Sequence, residues 1–134
     1  MNIVIVCGEF HKKQTEKMIS YAIDEAELKK CNIVDIVRVP GAMETPLAID
    51  RVLKEDAVDG AVVLGIIERG ETGHGQVIGQ AVTNAVIKLQ IKHNKPIGLG
   101  IIGPGAKSEH IEPRLEAHAR SSINAVQHSS SFNI

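Results

Sequence analysis

Ten consecutive residues, Gly65-Ile66-Ile67-Glu68-Arg69-Gly70-Glu71-Thr72-Gly73-His74, pass from an apolar run into a glycine-punctuated polar turn and end on a histidine. The amides and hydroxyl of Gly70-Glu71-Thr72-Gly73 suit an anion such as phosphate. A helix N-terminus presents unpaired N–H groups and a partial positive charge there. His74 at the helix mouth is either a polar surface residue or a proton shuttle, since imidazole titrates near neutral pH. The spacing is not that of a P-loop: Gly-x-x-x-x-Gly-Lys-Ser/Thr is absent, and no Gly-x-Gly-x-x-Gly follows the first apolar run.

Other segments carry residues of unusual type for their place. In Gly8-Glu9-Phe10-His11 an aromatic sits in a polar turn. Phe10 either caps the core or an interface, or stacks on a planar ligand. In Pro40-Gly41-Ala42-Met43-Glu44 the carboxylate opens a helix. It answers either the helix dipole or the hydroxyls of a ligand. Gly103-Pro104-Gly105 forms a further glycine-bearing turn. Arg114, after Pro113, is either a solvated charge or a planar fork for phosphate. The remaining histidines show no metal-ligand spacing; His110 and His118 share a helix face but lie too far apart for an easy common metal.

Four apolar runs and four helical patterns must position these groups. Asn2–Cys7, Ile33–Val39, Ala61–Ile67 and Ile97–Ile102 read as strands. The first and third are continuous and β-branched or aliphatic, as strands buried on both faces are. The second is mixed in polarity and is expected near an edge. Thr15–Lys30, with Thr15 as its cap, Pro46–Glu55, Gln76–His93 and Ser108 to about His128 carry helical spacing. The pattern is (βα)4. Right-handed crossovers then give a three-layer α/β/α, flavodoxin-like fold with a four-stranded parallel sheet of order 2-1-3-4. All four strands end on one edge, where such sheets bind ligands. Residues 1–128 make one domain, and Ser129 to Ile134 are expected to fray.

Composition agrees with one globular domain. The chain has 134 residues, 43% hydrophobic and 23% charged, with a formal net charge of −1. No basic surplus points to nucleic acid, and Phe10, Tyr21 and Phe132 are too few for base-stacking platforms. Cys7 and Cys31 read as two reduced thiols. No secretory peptide and no membrane-length apolar run is visible, so a cytoplasmic location is expected.

Two separated motifs, Val39-Pro40-Gly41-Ala42-Met43-Glu44-Thr45-Pro46-Leu47-Ala48 and Leu64-Gly65 through Gly70-Glu71-Thr72-Gly73-His74, together resemble the lumazine synthase family. The likeness covers nearly the whole chain, with Gly8-Glu9-Phe10, Lys95-Pro96-Ile97-Gly98-Leu99-Gly100 and Arg114. The Gly-Glu-Thr-x-His form and Gly103-Pro104-Gly105 look like the archaeal branch. The resemblance implies a condensation of 5-amino-6-(D-ribitylamino)uracil with 3,4-dihydroxy-2-butanone 4-phosphate. The product is 6,7-dimethyl-8-ribityllumazine, the precursor of riboflavin, with release of phosphate and water. No metal or redox cofactor is implied.

The resemblance also assigns residues. Phe10 would stack on the pyrimidinedione, and backbone at Ala42 and Met43 would hold it. Glu44 would bind ribityl hydroxyls. Ile66, Ile67, Glu68 and Leu99 would complete the substrate pocket. Glu71 and Thr72 would hold phosphate, with Arg114 arriving from a neighbouring subunit, and His74 would move protons. The family often has asparagine where His11 stands and phenylalanine where Met43 and Leu99 stand. A late-helix lysine of some members has no counterpart. The chain opens directly on its first strand, so a homo-oligomeric ring of five is expected over a hollow sixty-subunit shell. Two other functions share the fold: an archaeal-type riboflavin synthase, and a non-catalytic flavin- or lumazine-binding protein. A flavodoxin-like electron carrier fits poorly, because Gly8-Glu9-Phe10-His11-Lys12-Lys13 lacks small hydroxylated residues.

Overall fold

The computed structural model describes residues 1–132. Four strands, β1 (Asn2–Gly8), β2 (Asn32–Val39), β3 (Gly60–Glu68) and β4 (Ile97–Ala106), form one sheet of order β2-β1-β3-β4. Every neighbouring pair is parallel. The central strands β1 and β3 are buried almost throughout, whereas β2 alternates irregularly between exposed and half-buried. The apolar continuity of Ile3–Cys7 and Ala61–Ile67 thus follows from helices on both faces of the sheet.

The helices divide between those faces. Residues Ile3, Ile5, Val62 and Leu64 meet α1 (Lys12–Leu28) and α5 (Leu115–Ser129) through Met18, Ala22, Leu115, Ala119 and Ile123. Val4, Val6, Ala61 and Val63 meet α2 (Thr45–Leu53) and α3 (His74–His93) through Ile49, Leu53, Val82 and Val86. Strand alternation splits the two sets, because successive side chains point to opposite faces. On β4, Gly98 and Gly100 let α5 approach closely: a side chain on Gly98 would run into the Ser122 backbone, and one on Gly100 would lie 3.2 Å from the His118 carbonyl oxygen.

Several boundaries differ from the sequence pattern. Strand β4 does not stop at Ile102 but carries Gly103-Pro104-Gly105 within it and pairs again at Ala106 opposite Glu68. The register shifts between Ile66 and Glu68, and Gly103 and Gly105 take positive φ, 97 and 90. An irregular paired segment therefore replaces the expected turn. Helix α1 starts at Lys12, before Thr15, which is buried inside it and donates its hydroxyl to the Lys12 carbonyl at 3.2 Å. The backbone of His11 launches the helix instead. The last helical pattern is broken into α4 (Ser108–Ile111), a 3-10 turn over Glu112–Arg114, and α5. Pro113 cannot donate its nitrogen to an α-helical ladder, which accounts for the break. The terminal segment keeps hydrogen-bonded turns at Ser130 and Ser131; Asn133 and Ile134 of the expected frayed tail lie outside the described residues. Among the described residues no helix is long and apolar enough to cross a membrane.

Candidate active site

The strand ends assemble the site from separate turns. After β1, the Glu9 amide donates to the Val39 carbonyl at 2.9 Å, fastening the first turn to the end of β2. Phe10 is left 67% exposed, with its ring against Gly41: a Cβ there would lie 2.7 Å from Phe10 Cε2. Glycine at 41 is therefore what lets the aromatic ring lie over the second turn. The Glu44 carboxylate is on the same side, its Oε1 3.6 Å from that Cβ position. A 3-10 turn over Ala42–Glu44 displays Met43 and Glu44 outward. The fully buried Thr45 anchors this turn by donating its hydroxyl to the Ala42 carbonyl at 2.7 Å.

After β3 the chain makes the polar turn. Ile66 and Ile67 are buried and Glu68 is half-buried. The Arg69 amide donates to the Ala106 carbonyl at 2.6 Å, so β4 holds the start of the turn. Beyond it, the amides of Glu71, Thr72 and Gly73 make no hydrogen bond to another described residue. The His74 amide donates to the Thr72 hydroxyl oxygen at 3.3 Å, which leaves the Thr72 O–H free to donate. Gly73 precedes the first residue of α3, His74, so the free donors stand at a helix N-terminus.

These turns enclose a cavity of about 550 Å³, lined by Phe10, His11, Gly41–Glu44, Ile66–Glu68, Gly70, Thr72, His74, Gly75 and Ile78. It lies at the ends of β1 and β3, the adjacent central strands where the strand order reverses. A second depression, about 450 Å³, is lined by Arg69–Gly73, Gly75, Gln76 and Gly105. Gly70, Thr72 and Gly75 border both. An apolar wall suited to a flat ring thus adjoins a cradle of amides suited to an anion.

Phe10, Ala42, Met43, Glu44, Ile66, Ile67, Glu68, Thr72 and His74 come together on the first cavity, and Glu71 lines the second. Leu99 and Arg114 line neither. Leu99 is 43% exposed in mid-strand, in register with Val63. Arg114 is exposed, with Nη1 donating to the His110 carbonyl at 3.0 Å. Five residues lining the first cavity were not among the assigned site residues: His11, Gly41, Gly70, Gly75 and Ile78. Ile78 follows His74 by one helical turn, a spacing that places the two side chains on one face. His11 reaches Glu68, Nε2 to Oε2 at 3.1 Å.

Below the site, Cys7 is no nucleophile. Burial pushes its thiol up to about 12, against a weaker hydrogen-bonding effect of Thr15, so it stays protonated at neutral pH. Cys7 and Cys31 are free thiols. Among the described residues no three His, Cys, Asp or Glu side chains gather as a metal would require.

Comparison with known proteins agrees with this geometry. The family model described as 6,7-dimethyl-8-ribityllumazine synthase matches residues 1–131. A 6,7-dimethyl-8-ribityllumazine synthase of Staphylothermus marinus is 38% identical over 124 residues, covering 92% of this chain and 83% of the relative. That of Metallosphaera sedula is 37% identical over 122 residues, covering 91% and 81%. That of Methanobrevibacter smithii is 36% identical over 119 residues, covering 89% and 82%. With its parallel sheet, its strand-end cavity and the adjoining amide cradle, the chain belongs to the 6,7-dimethyl-8-ribityllumazine synthase family, enzymes of riboflavin biosynthesis.

Proposed function

We propose that the two adjoining depressions hold the two substrates of the family's condensation. The aminouracil occupies the larger cavity, with its ring against Phe10 and the backbone of Ala42 and Met43 in hydrogen-bond reach of the ring edge. Ile66 and Ile67 close the apolar wall, and Glu44 accepts from ribityl hydroxyls. The phosphate of the butanone lies at the Glu71 and Thr72 amides and the Thr72 hydroxyl. The observation that carries this reading is the convergence of Phe10, Glu44, Thr72 and His74 on one cavity that opens onto the free amides.

The chemistry then needs proximity and protons. The 5-amino group attacks the ketone carbon, and water leaves as the imine forms. Phosphate leaves next, and the ribityl-bearing nitrogen closes the ring with loss of a second water. His74, on the rim shared with Thr72, donates to each departing oxygen and accepts from nitrogen or carbon in turn. Holding both reactants in one pose supplies much of the acceleration; proton transfer by one histidine contributes about 10²–10⁴-fold.

Leu99 and Arg114 act in the site of an adjacent copy. Leu99 sits exposed on edge strand β4, and Val77, Ile87 and Ile91 of the overlying α3 are exposed as well. Exposed apolar side chains on an edge strand and on a neighbouring helix suit an association face. We propose a homo-oligomer with sites between subunits, a ring of five rather than a sixty-subunit shell, working in the cytoplasm. Mixing the two substrates with the protein should give lumazine fluorescence and released phosphate in step. No signal above the uncatalysed background defeats the reading, and so does lumazine consumption without any phosphorylated substrate. Light scattering in the same buffer distinguishes ring from shell.

A further inference from the structure

His11 begins α1 in the left-handed region, at φ 58 and ψ 52. Among the described residues the two other non-glycine positions with positive φ, Lys30 and Asn94, lie at the C-terminal ends of α1 and α3. That conformation is a usual way to stop a helix. At an N-terminus the residue ordinarily sits in the extended region and turns its own side chain back onto the first free amides. His11 makes no such bond. Its carbonyl accepts from the Gln14 and Thr15 amides, both at 2.9 Å. Its ring leaves the helix altogether and meets Glu68 across the cavity wall.

As a stability device this contact is poor. The two side chains are 33% and 36% exposed, and pairs so exposed contribute little to folding. Its placement is what distinguishes it. Both residues line the cavity together with Glu44 and His74, and among the described residues no lysine or arginine lines it. His11 occupies one Glu68 oxygen; the other, Oε1, has no partner among the described residues. A carboxylate fixed through one oxygen and free at the other is built to accept an N–H from a ligand. It also repels an anion, so it discriminates between an amine-bearing reactant and a phosphorylated one.

We infer that His11 and Glu68 form a positioning pair for the aminouracil: His11 fixes the Glu68 carboxylate, whose free oxygen accepts an N–H of that substrate and turns its amine toward the ketone beside His74. The inference rests on the proposed condensation and adds a residue pair that sorts its two substrates.

His11→Asn is the sharpest variant, because asparagine tolerates the left-handed region while its side chain is too short to replace the ring. Glu68→Ala removes the other partner, and His11→Gln returns a donor of longer reach. The full chain is titrated with the aminouracil alone, then assayed with each substrate varied in turn. His11→Asn and Glu68→Ala should each weaken aminouracil binding and raise its KM about tenfold, the loss of one charge-assisted hydrogen bond. KM for the butanone phosphate should stay within about twofold, with the thermal midpoint unchanged. His11→Gln should recover most of the binding, and the double variant should be no worse than either single one, as for two groups acting as a unit. Unchanged aminouracil binding in His11→Asn and Glu68→Ala overturns the inference, as do equal rises in both KM values or additive losses in the double variant. A wild-type chain that binds the aminouracil but forms no lumazine defeats the proposed reaction, and the titration still decides the pair.

Discussion

The wall made by Phe10, Gly41–Glu44 and Ile66–Glu68 is assembled from side chains and fastened to buried strands, whereas the neighbouring turn Gly70–Gly73 offers mainly backbone amides. The first is specified by residue type: an aromatic ring, a carboxylate and aliphatic flanks that only certain residues supply. The second is specified by geometry, and many side chains could stand there without altering the donors. The two halves also differ in completeness. One chain supplies all of the proposed ring wall except Leu99, whereas Arg114, the cation proposed for phosphate, is tied to His110 and lines neither depression.

The contrast predicts unequal responses to substitution. His74→Ala touches the seam between the halves and should have the largest effect, lowering kcat by about 10²–10⁴-fold without abolishing turnover; single-turnover kinetics separate this from slow product release. Arg114→Ala should raise KM for the butanone phosphate by about 10–100-fold, the cost of a lost charged fork, with aminouracil binding retained. Phe10→Ala should do the converse, weakening aminouracil binding about tenfold through lost stacking and burial while sparing the phosphate substrate. Titration of each variant with each substrate reads both effects, and a symmetric loss in either variant erases the distinction between the halves.

A fourth substitution lies far from the site and serves as its control. Hydrogen bonds from Lys92, His93 and Lys54, at 2.9, 2.8 and 3.1 Å, hold the Asp50 carboxyl well below the usual range and join α2 to α3. A pKa lower in the folded than in the unfolded chain adds stability above the unfolded value, about 4, and loses it as pH falls through the folded one. Asp50→Asn should therefore flatten the decline of the thermal midpoint between neutral pH and about pH 2, with kcat and both KM values at neutral pH unchanged.

How much of this was legible in the sequence follows the same division. The sheet order and the central strands were visible because burial on both faces demands unbroken aliphatic runs such as Ala61–Ile67. Phe10 stood out as an aromatic in a polar turn, but its pairing with Glu44 on one wall was implied only by the family resemblance, since residue type alone left both readings open. What remained hidden depends on contacts between distant segments. His11 and Glu68 are brought together only by the pairing of β1 with β3. The continuation of β4 through Gly103-Pro104-Gly105 needs the partner carbonyls and amides of the β3 end, which no local pattern reveals. Thr15 carries good capping chemistry, but the left-handed backbone at His11 had already begun the helix.

In the proposed assembly a complete site takes its ring wall, His74 and amide cradle from one subunit, and Arg114 with Leu99 from the next. Co-assembly of His74→Ala chains with Arg114→Ala chains tests it most directly. If Arg114 crosses a subunit boundary, about a quarter of the sites in a random mixture of a head-to-tail ring combine an intact His74 with an intact Arg114. Lumazine formation should then rise well above that of either variant assembled alone. If mixed assemblies stay at the level of the two separate variants, each site draws both residues from one chain, and the account of a shared site is wrong.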